Sequence, residues 1–204
     1  MNIIVAHCNN YGIGKDNNLP WHFKTDLRYF SKKTKGDGNN AIIMGKNTWL
    51  SLPRRPLPNR DNFVLSKTLN TNNCFKSINE AKEYFNNNNY DEVWIIGGSS
   101  IYDQFINDQD VKKIYVSEIK KEYECDTFFP KFDENKYKLT SLSKFYQENN
   151  INFRFKIFSN KDLINKQYEF PFVNKEEHQY LNMLKHILNN GISSDDRTGV
   201  GTLS

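Results

Sequence analysis

Cysteine is scarce and scattered: Cys8, Cys74 and Cys125 are odd in number, widely spaced and without a CxxC pair. The four histidines form no HExxH. A disulfide framework and a zinc site are both excluded by that pattern, and no metal is expected. Long apolar runs are missing too; none reaches the roughly 18 residues of a membrane span. The opening Met-Asn-Ile-Ile-Val has neither the basic region nor the long apolar core of a secretion signal, so a soluble chain in the cytoplasm is expected. Charge of one sign is also lacking. With 28 basic and 24 acidic residues the net charge is only +4, and no block concentrates it, so neither nucleic acid nor a membrane surface is an expected partner. The chain carries no complete GxGxxG fingerprint, no Walker pattern and no GxSxG, which argues against a standard Rossmann dehydrogenase, a P-loop NTPase and a serine hydrolase.

What is present is Asn, Lys, Ile and aromatic residues. Of 204 residues 37% are hydrophobic, 14% are aromatic, and Ala stands only at 6, 41 and 81. The apolar share is below the globular mean of roughly 45–50%, yet the aromatic and Ile content is far above that of a disordered polymer. One ordinary domain is supported and a remainder is left over.

Along the chain, short apolar runs alternate with helical patterns. Ile3 to Ala6 reads as a strand ending in a Gly-containing loop; Thr25 to Thr34 is a helix with Leu27, Phe30 and Thr34 on one face, capped by Thr25. Ala41 to Met44 is a strand leading through Gly45 into a short helix with Trp49 and Leu52, and Asn62 to Leu65 is another strand. Cys74 to Ile78 leads to a helix with Ala81, Tyr84 and Phe85, followed by a loop over Asn86 to Asn89. Glu92 to Ile96 runs into Gly97-Gly98-Ser99-Ser100 and a helix with Ile101, Phe105 and Ile106. Lys113 to Ile119 is a strand, and Tyr137 to Phe145 with Asn152 to Ser159 form a hairpin around Glu148-Asn149-Asn150. The fold class is α/β: a mostly parallel twisted sheet with an antiparallel C-terminal hairpin and helices on both faces.

Ligands of such sheets bind at the carboxyl ends of strands. Two segments there, Gly45-Lys46-Asn47-Thr48 and Gly97-Gly98-Ser99-Ser100, precede helices and offer unobstructed backbone N–H groups suited to a diphosphate, although the same glycines would equally serve a tight turn. The strand ending in Leu65 continues into Ser66-Lys67, where a hydroxyl and a cation favour a 2′-phosphate over the acid typical of a NAD site; as one lysine among many, Lys67 also reads as plain surface.

Eight segments in order, Ile4-Val5-Ala6, Gly12-Ile13-Gly14-Lys15 through Leu19-Pro20-Trp21, Asp26 with Phe30, Met44 to Trp49, Arg55 to Arg60, Val64-Leu65-Ser66, Trp94 to Tyr102 and Asp126 to Pro130, together resemble the dihydrofolate reductase family over residues 1 to about 160. The resemblance implies NADPH as cofactor and dihydrofolate and antifolates as ligands. It makes Asp26 the acid that accepts from the pterin N3–H and 2-amino group, with Trp21 and Thr127 beside it in the catalytic set and Thr127 hydrogen-bonded to Asp26. On its own, Asp26 reads as a first-turn acid favoured by the helix dipole. The substrate pocket implied is Ile4, Val5, Ala6, Leu19, Leu27, Phe30, Leu52, Arg55, Leu57, Arg60, Ile96 and Tyr102; Arg60 clamps the glutamate α-carboxylate, and Ile4 and Ile96 offer strand-end carbonyls. The cofactor set implied is Ala6, Ile13, Gly14, Gly45, Lys46, Asn47, Thr48, Leu65, Ser66, Lys67, Gly97, Gly98, Ser99, Ser100, Ile101 and Tyr102, with a cis Gly97–Gly98 bond. Asn47 departs from the basic residue common there. The loop from Tyr11 to Trp21 resembles the mobile loop that closes on the nicotinamide, with Gly12 and Gly14 either as hinges or as plain turn residues.

The remainder reads as a linker over 161–173, then a capping box at Asn174 to Glu177 and an amphipathic helix with Tyr180, Leu181, Leu184, Ile187 and Leu188. Glu177 to Ser204, with Asp196-Arg197-Thr198-Gly199, resembles the opening of thymidylate synthase, in which Arg197 would reach a nucleotide phosphate. The resemblance implies the reductase half of a bifunctional reductase–synthase cut just inside its second domain (174–204), whose longer parent would pair as a homodimer through the synthase. Two other readings stand beside it: a reductase of the same fold acting on a ribosylaminopyrimidine, and a non-catalytic assembly arm of a synthase.

Overall fold

The computed structural model describes residues 1–69, 71–163, 193–194 and 202–203. The chain divides into two compact units, Met1–Ile164 and Asn165–Ser204. In the second, the short strands Ser193–Ser194 and Thr202–Leu203 pair antiparallel. The expected amphipathic helix, Arg197 and most of the expected linker lie outside the described residues.

In the first unit the strands are β1 (Asn2–His7), β2 (Gly12–Gly14), β3 (Asn40–Gly45), β4 (Asp61–Leu65), β5 (Cys74–Phe75), β6 (Glu92–Ile95), β7 (Lys113–Ile119), β8 (Thr127–Phe128), β9 (Tyr137–Leu142), β10 (Tyr146–Glu148) and β11 (Ile151–Asn160). The helices are α1 (Lys24–Lys35), α2 (Lys46–Ser51), α3 (Ile78–Asn87) and α4 (Ser99–Phe105). A nine-stranded sheet runs β10-β11-β7-β1-β6-β3-β4-β5, with β9 also on β11. Pairs from β7 through β5 are parallel, and β11 joins β7, β9 and β10 antiparallel.

Successive residues of the central strands bury on opposite faces, as the pleat requires. Ile3, Val5, Ile43 and Ile95 join the cluster that packs under Ala81 and Phe85 of α3 and Ile101 and Phe105 of α4. Ile4, Ile42, Met44 and Trp94 face the other way, toward Tyr29 and Phe30 of α1. Burial on both faces is why β1 and β3 read as continuous apolar runs, and helices cover both sides of the sheet as expected.

Three local expectations are corrected. The helix starts one residue before Thr25, and its N-cap residue Phe23 offers no side-chain acceptor, so Thr25 does not cap it. The stretch 137–145 is strand only through Leu142 (β9); a separate strand, β10, follows at Tyr146–Glu148, and the turn after it consists of Asn149 and Asn150 at φ 53° and 59° between the paired Glu148 and Ile151, a two-residue primed turn. The asparagine run at 86–89 is partly helical, because α3 extends through Asn87. The small ribbon of β2 with β8 was not foreseen from periodicity, since Gly12 and Gly14 give no apolar alternation.

Candidate active site

Asp26 stands in the first turn of α1 and is only 7% exposed. Burial raises its pKa above the ordinary carboxylate range; a hydrogen bond with the Ser117 hydroxyl opposes that shift and the charge of Glu148 adds to it. Ser117 is a buried polar residue of β7, paired in register with Ala6 of β1. Thr127 is not the partner expected: β8 turns it toward Asp126, whose carboxylate accepts from its Oγ1 at 2.7 Å. Trp21 is buried, and its Nε1 donor has no partner among the described residues. Leu27 and Leu19 are 41% and 54% exposed, so they border open space rather than core. Phe30 is half-buried.

At the far end of α1, Arg60 Nη1 donates to Thr34 Oγ1, and Thr34 in turn donates to the Phe30 carbonyl at 2.8 Å. The guanidinium lies 5.6 Å from the Phe30 ring centre, and its Nε is a buried donor with no partner among the described residues. The loop that carries Arg60 is held by Asn62: its Oδ1 accepts from the Leu57 amide at 2.8 Å while its Nδ2 donates to the Leu57 and Arg60 carbonyls at 2.9 and 2.8 Å. Arg60 also lines a cavity of about 600 Å³ with Trp49, Pro56 and Val64. Arg55 is exposed and donates instead to the Leu50 carbonyl at 2.9 Å, and Leu57 and Leu52 are half-buried against the α1-side core.

The two glycine segments meet. The Gly45 amide donates to the Gly97 carbonyl at 2.7 Å where β3 and β6 end side by side. The Gly97–Gly98 peptide is cis, with Gly97 at φ 107°. Space is short here: a Cβ on Gly97 would lie 2.9 Å from the Tyr102 ring, one on Gly45 3.0 Å from Ile101, and one on Gly98 3.3 Å from Thr48 Oγ1. Helices α2 and α4 start at Lys46 and Ser99 with no side-chain cap at Gly45 or Gly98, so no cap side chain takes up their first-turn N–H groups. Tyr102, fully buried, donates from its hydroxyl to the Ile4 carbonyl at 2.8 Å, and burial raises its pKa. Ile4 lies inside β1, which runs on to His7, so it is not at a strand end; Ile96 lies just beyond β6. Val5 and Ile13 are buried and Ala6 half-buried beside them.

Past the end of β4, Leu65 is followed by Ser66, whose Oγ accepts from the Thr68 and Leu69 amides at 3.2 Å each. Lys46 Nζ donates to Thr68 Oγ1 at 3.1 Å, and Lys67 is exposed. Thr68 joins the set that sequence reasoning assembled as Lys46, Ser66 and Lys67, and no motif pointed to it. The glycine at 12 is explained by packing: a Cβ there would collide with Cys125 Sγ and come to 3.0 Å from Cys8 Sγ. Cys8 and Cys125, remote in sequence, thus sit with sulfurs 3.9 Å apart, and burial pushes the Cys125 thiol up to about 11.

No group of three or more metal-ligating side chains gathers among the described residues, and no described helix is long and apolar enough to cross a membrane. A dihydrofolate reductase family profile matches residues 1–160. The chain is 34% identical to a bifunctional dihydrofolate reductase-thymidylate synthase of Paramecium tetraurelia over 99% of its length, spanning 43% of that protein. It is 36% identical to the dihydrofolate reductase of Rattus norvegicus over 79% of its length, spanning 98% of that enzyme. A bifunctional relative of Arabidopsis thaliana is 33% identical over 99% of this chain and 43% of its own length. The chain spans less than half of the bifunctional relatives and nearly all of the single-function one. A buried acid in the first turn of α1 with a guanidinium tied to its last turn, the joined glycines and the matched profile lead to one assignment: this chain belongs to the dihydrofolate reductase family.

Proposed function

We propose that this chain reduces 7,8-dihydrofolate to 5,6,7,8-tetrahydrofolate with NADPH, in support of thymidylate and one-carbon metabolism. The observation that carries it is the spacing of two groups along α1. Asp26 lies in the first turn, and Arg60 is tied to Thr34 in the last. Eight residues of helix separate those points by roughly 12 Å. A ligand that answers both is elongated, with hydrogen-bond donors at one end and a carboxylate at the other, which describes a pterin joined through an aromatic spacer to glutamate.

Asp26 accepts from the pterin N3–H and 2-amino group as a two-pronged pair, fixing the ring. Arg60, whose Nε has no partner among the described residues, takes the glutamate α-carboxylate, while Leu27, Phe30, Leu52 and Leu57 border the spacer. The glycine junction fits a dinucleotide diphosphate: Gly45, Gly97 and Gly98 have little room for a side chain against Ile101, Tyr102 and Thr48, and their closeness brings the starts of α2 and α4 together. Lys46, Thr48 and the Ser99 and Ser100 amides hold the phosphates, and Ser66, Lys67, Thr68 and Lys46 favour a 2′-phosphate and hence NADPH. When bound, the reduced nicotinamide supplies the hydride that ends on C6 of the pterin. Asp26 sits on the opposite edge of the ring from N5, so the proton for N5 is taken from water and Asp26 acts by fixing and polarising the ring. Orientation of the two rings does most of the remaining work.

Residues beyond 160 belong, in this reading, to the linker (161–173) and the first piece (174–204) of a synthase in a longer, homodimeric parent; the bifunctional relatives align over 99% of this chain, which supports it. Synthase activity is expected only of that parent. A cytoplasmic location goes with the same family reading. Mixing the purified chain with dihydrofolate and NADPH tests the reductase: near-ultraviolet absorbance of the reduced nicotinamide falls if the reading is right and stays constant if it is wrong.

A further inference from the structure

Helix α1 begins without a cap of its own. Its N-cap residue Phe23 has no polar side chain, so the first N–H groups need an outside acceptor. Glu148, the last residue of β10, supplies one from far along the chain. Its Oε2 accepts from the Lys24 amide at 2.7 Å and its Oε1 from the Thr25 amide at 2.8 Å. Thr25 directly precedes Asp26. The neighbouring Asn149 adds a bond from its Nδ2 to the His22 carbonyl at 3.4 Å.

The hairpin holding Glu148 is itself fixed against α1. Phe153, opposite Tyr146 in the β10–β11 ladder, stacks on Phe23 at 5.0 Å, and Phe155 stacks on Tyr29 at 3.9 Å. Clamp and helix therefore share one aromatic layer, and the carboxylate cannot drift from the first turn without unstacking it.

We propose that Glu148 is a positioning residue for Asp26: its carboxylate clamps the first turn of α1 and, by occupying the positive end of that helix with negative charge, biases Asp26 toward its protonated form. The argument is electrostatic as well as geometric. The charge of Glu148 at the helix N-terminus offsets the positive field there and repels a second carboxylate, so Asp26 gains less from that end of the helix. The hydrogen bonds to Thr25 and Lys24 hold Glu148 ionised, below the usual carboxylate range, and its charge acts on Asp26 in the direction of a higher pKa. The other groups facing this turn are Arg28 and Tyr29 on α1, Ser117 and Tyr115 on β7, and Tyr146 on β10. Among these described groups Glu148 alone brings a second carboxylate to the turn.

The proposal rests on Asp26 being the pterin-binding acid for its catalytic meaning, and its test is independent of turnover. Carboxylate NMR of the whole chain, with Asp26 identified by its loss in Asp26→Asn, follows the titration in wild type and in Glu148→Gln. The glutamine keeps an acceptor and the size of the side chain but removes the charge. The Asp26 midpoint is expected to move to lower pH in Glu148→Gln; an unmoved or raised midpoint overturns the proposal. In steady-state turnover the pH profile of the same variant should shift to lower pH together with the Asp26 midpoint, with NADPH affinity unchanged. A variant that lowers only the melting temperature and leaves the pH profile in place marks Glu148 as a structural cap and overturns the proposal. A wild-type chain without dihydrofolate-dependent turnover refutes the reductase reading, and the NMR midpoint still decides the role of Glu148.

Discussion

The Gly45 amide and the Gly97 carbonyl are hydrogen-bonded at 2.7 Å, which locks the ends of two adjacent parallel strands into one junction. Gly97 holds φ 107° with the Tyr102 ring where a Cβ would project. Gly97→Ala is therefore expected to destabilise the chain by about 1–3 kcal/mol and to weaken NADPH binding more than antifolate binding. Chemical denaturation and separate titrations of the two ligands check this, and equal loss of both affinities would argue that the junction serves the fold alone.

Asp26 is held at a cost. Its folded-state pKa is raised, chiefly by burial, so the stability that goes with its protonated form is fully present at low pH and is lost as pH rises through the folded-state value. Asp26→Asn mimics the protonated form. The variant should melt higher than wild type at neutral pH, with the gap closing in acid, while its turnover falls by about 10²-fold or more. Melting curves across pH and steady-state rates measure both; a variant less stable than wild type at neutral pH contradicts the burial argument.

Arg60 is assigned to ground-state binding of a carboxylate far from the reacting atoms. Loss of a charge-assisted pair is worth about 1.5–3 kcal/mol, or roughly 10- to 100-fold. Arg60→Met should raise KM for dihydrofolate by that factor and leave kcat within about threefold. A shortened substrate without the glutamate should show no such difference between the two proteins.

Lys67 is exposed, and Lys46 reaches Thr68 beside it, so the cationic edge past β4 is open to a phosphate. Lys67→Glu should shift preference from NADPH toward NADH by about tenfold. Equal kcat/KM ratios for the two cofactors before and after the change would remove Lys67 from the cofactor set.

Much of this was legible in the sequence where one residue signals by itself. The apolar runs of β1 and β3 announced buried parallel strands, and the doubled glycine at 97–98 marked the junction. The pairings across the chain were not legible. Ser117 is an ordinary serine in a strand until β7 brings it to Asp26, and Thr127 was assigned that role from its motif although the β2–β8 ribbon gives its hydroxyl to Asp126. Glu148 reads as a turn acid, and only the stacking of Phe153 on Phe23 places it over the start of α1. Gly12 reads as a hinge or a turn residue from the sequence, and the structure adds that a side chain there would meet Cys125.

The central claim is hydride transfer to the pterin between Asp26 and the glycine junction. It is tested most directly by incubating the chain with dihydrofolate and NADPH labelled with deuterium on its reduced ring. One deuterium on C6 of the recovered tetrahydrofolate, formed by wild type and at a strongly reduced rate by Asp26→Asn, is the predicted result; oxidation of the cofactor without label in the folate, or no product at all, would contradict it.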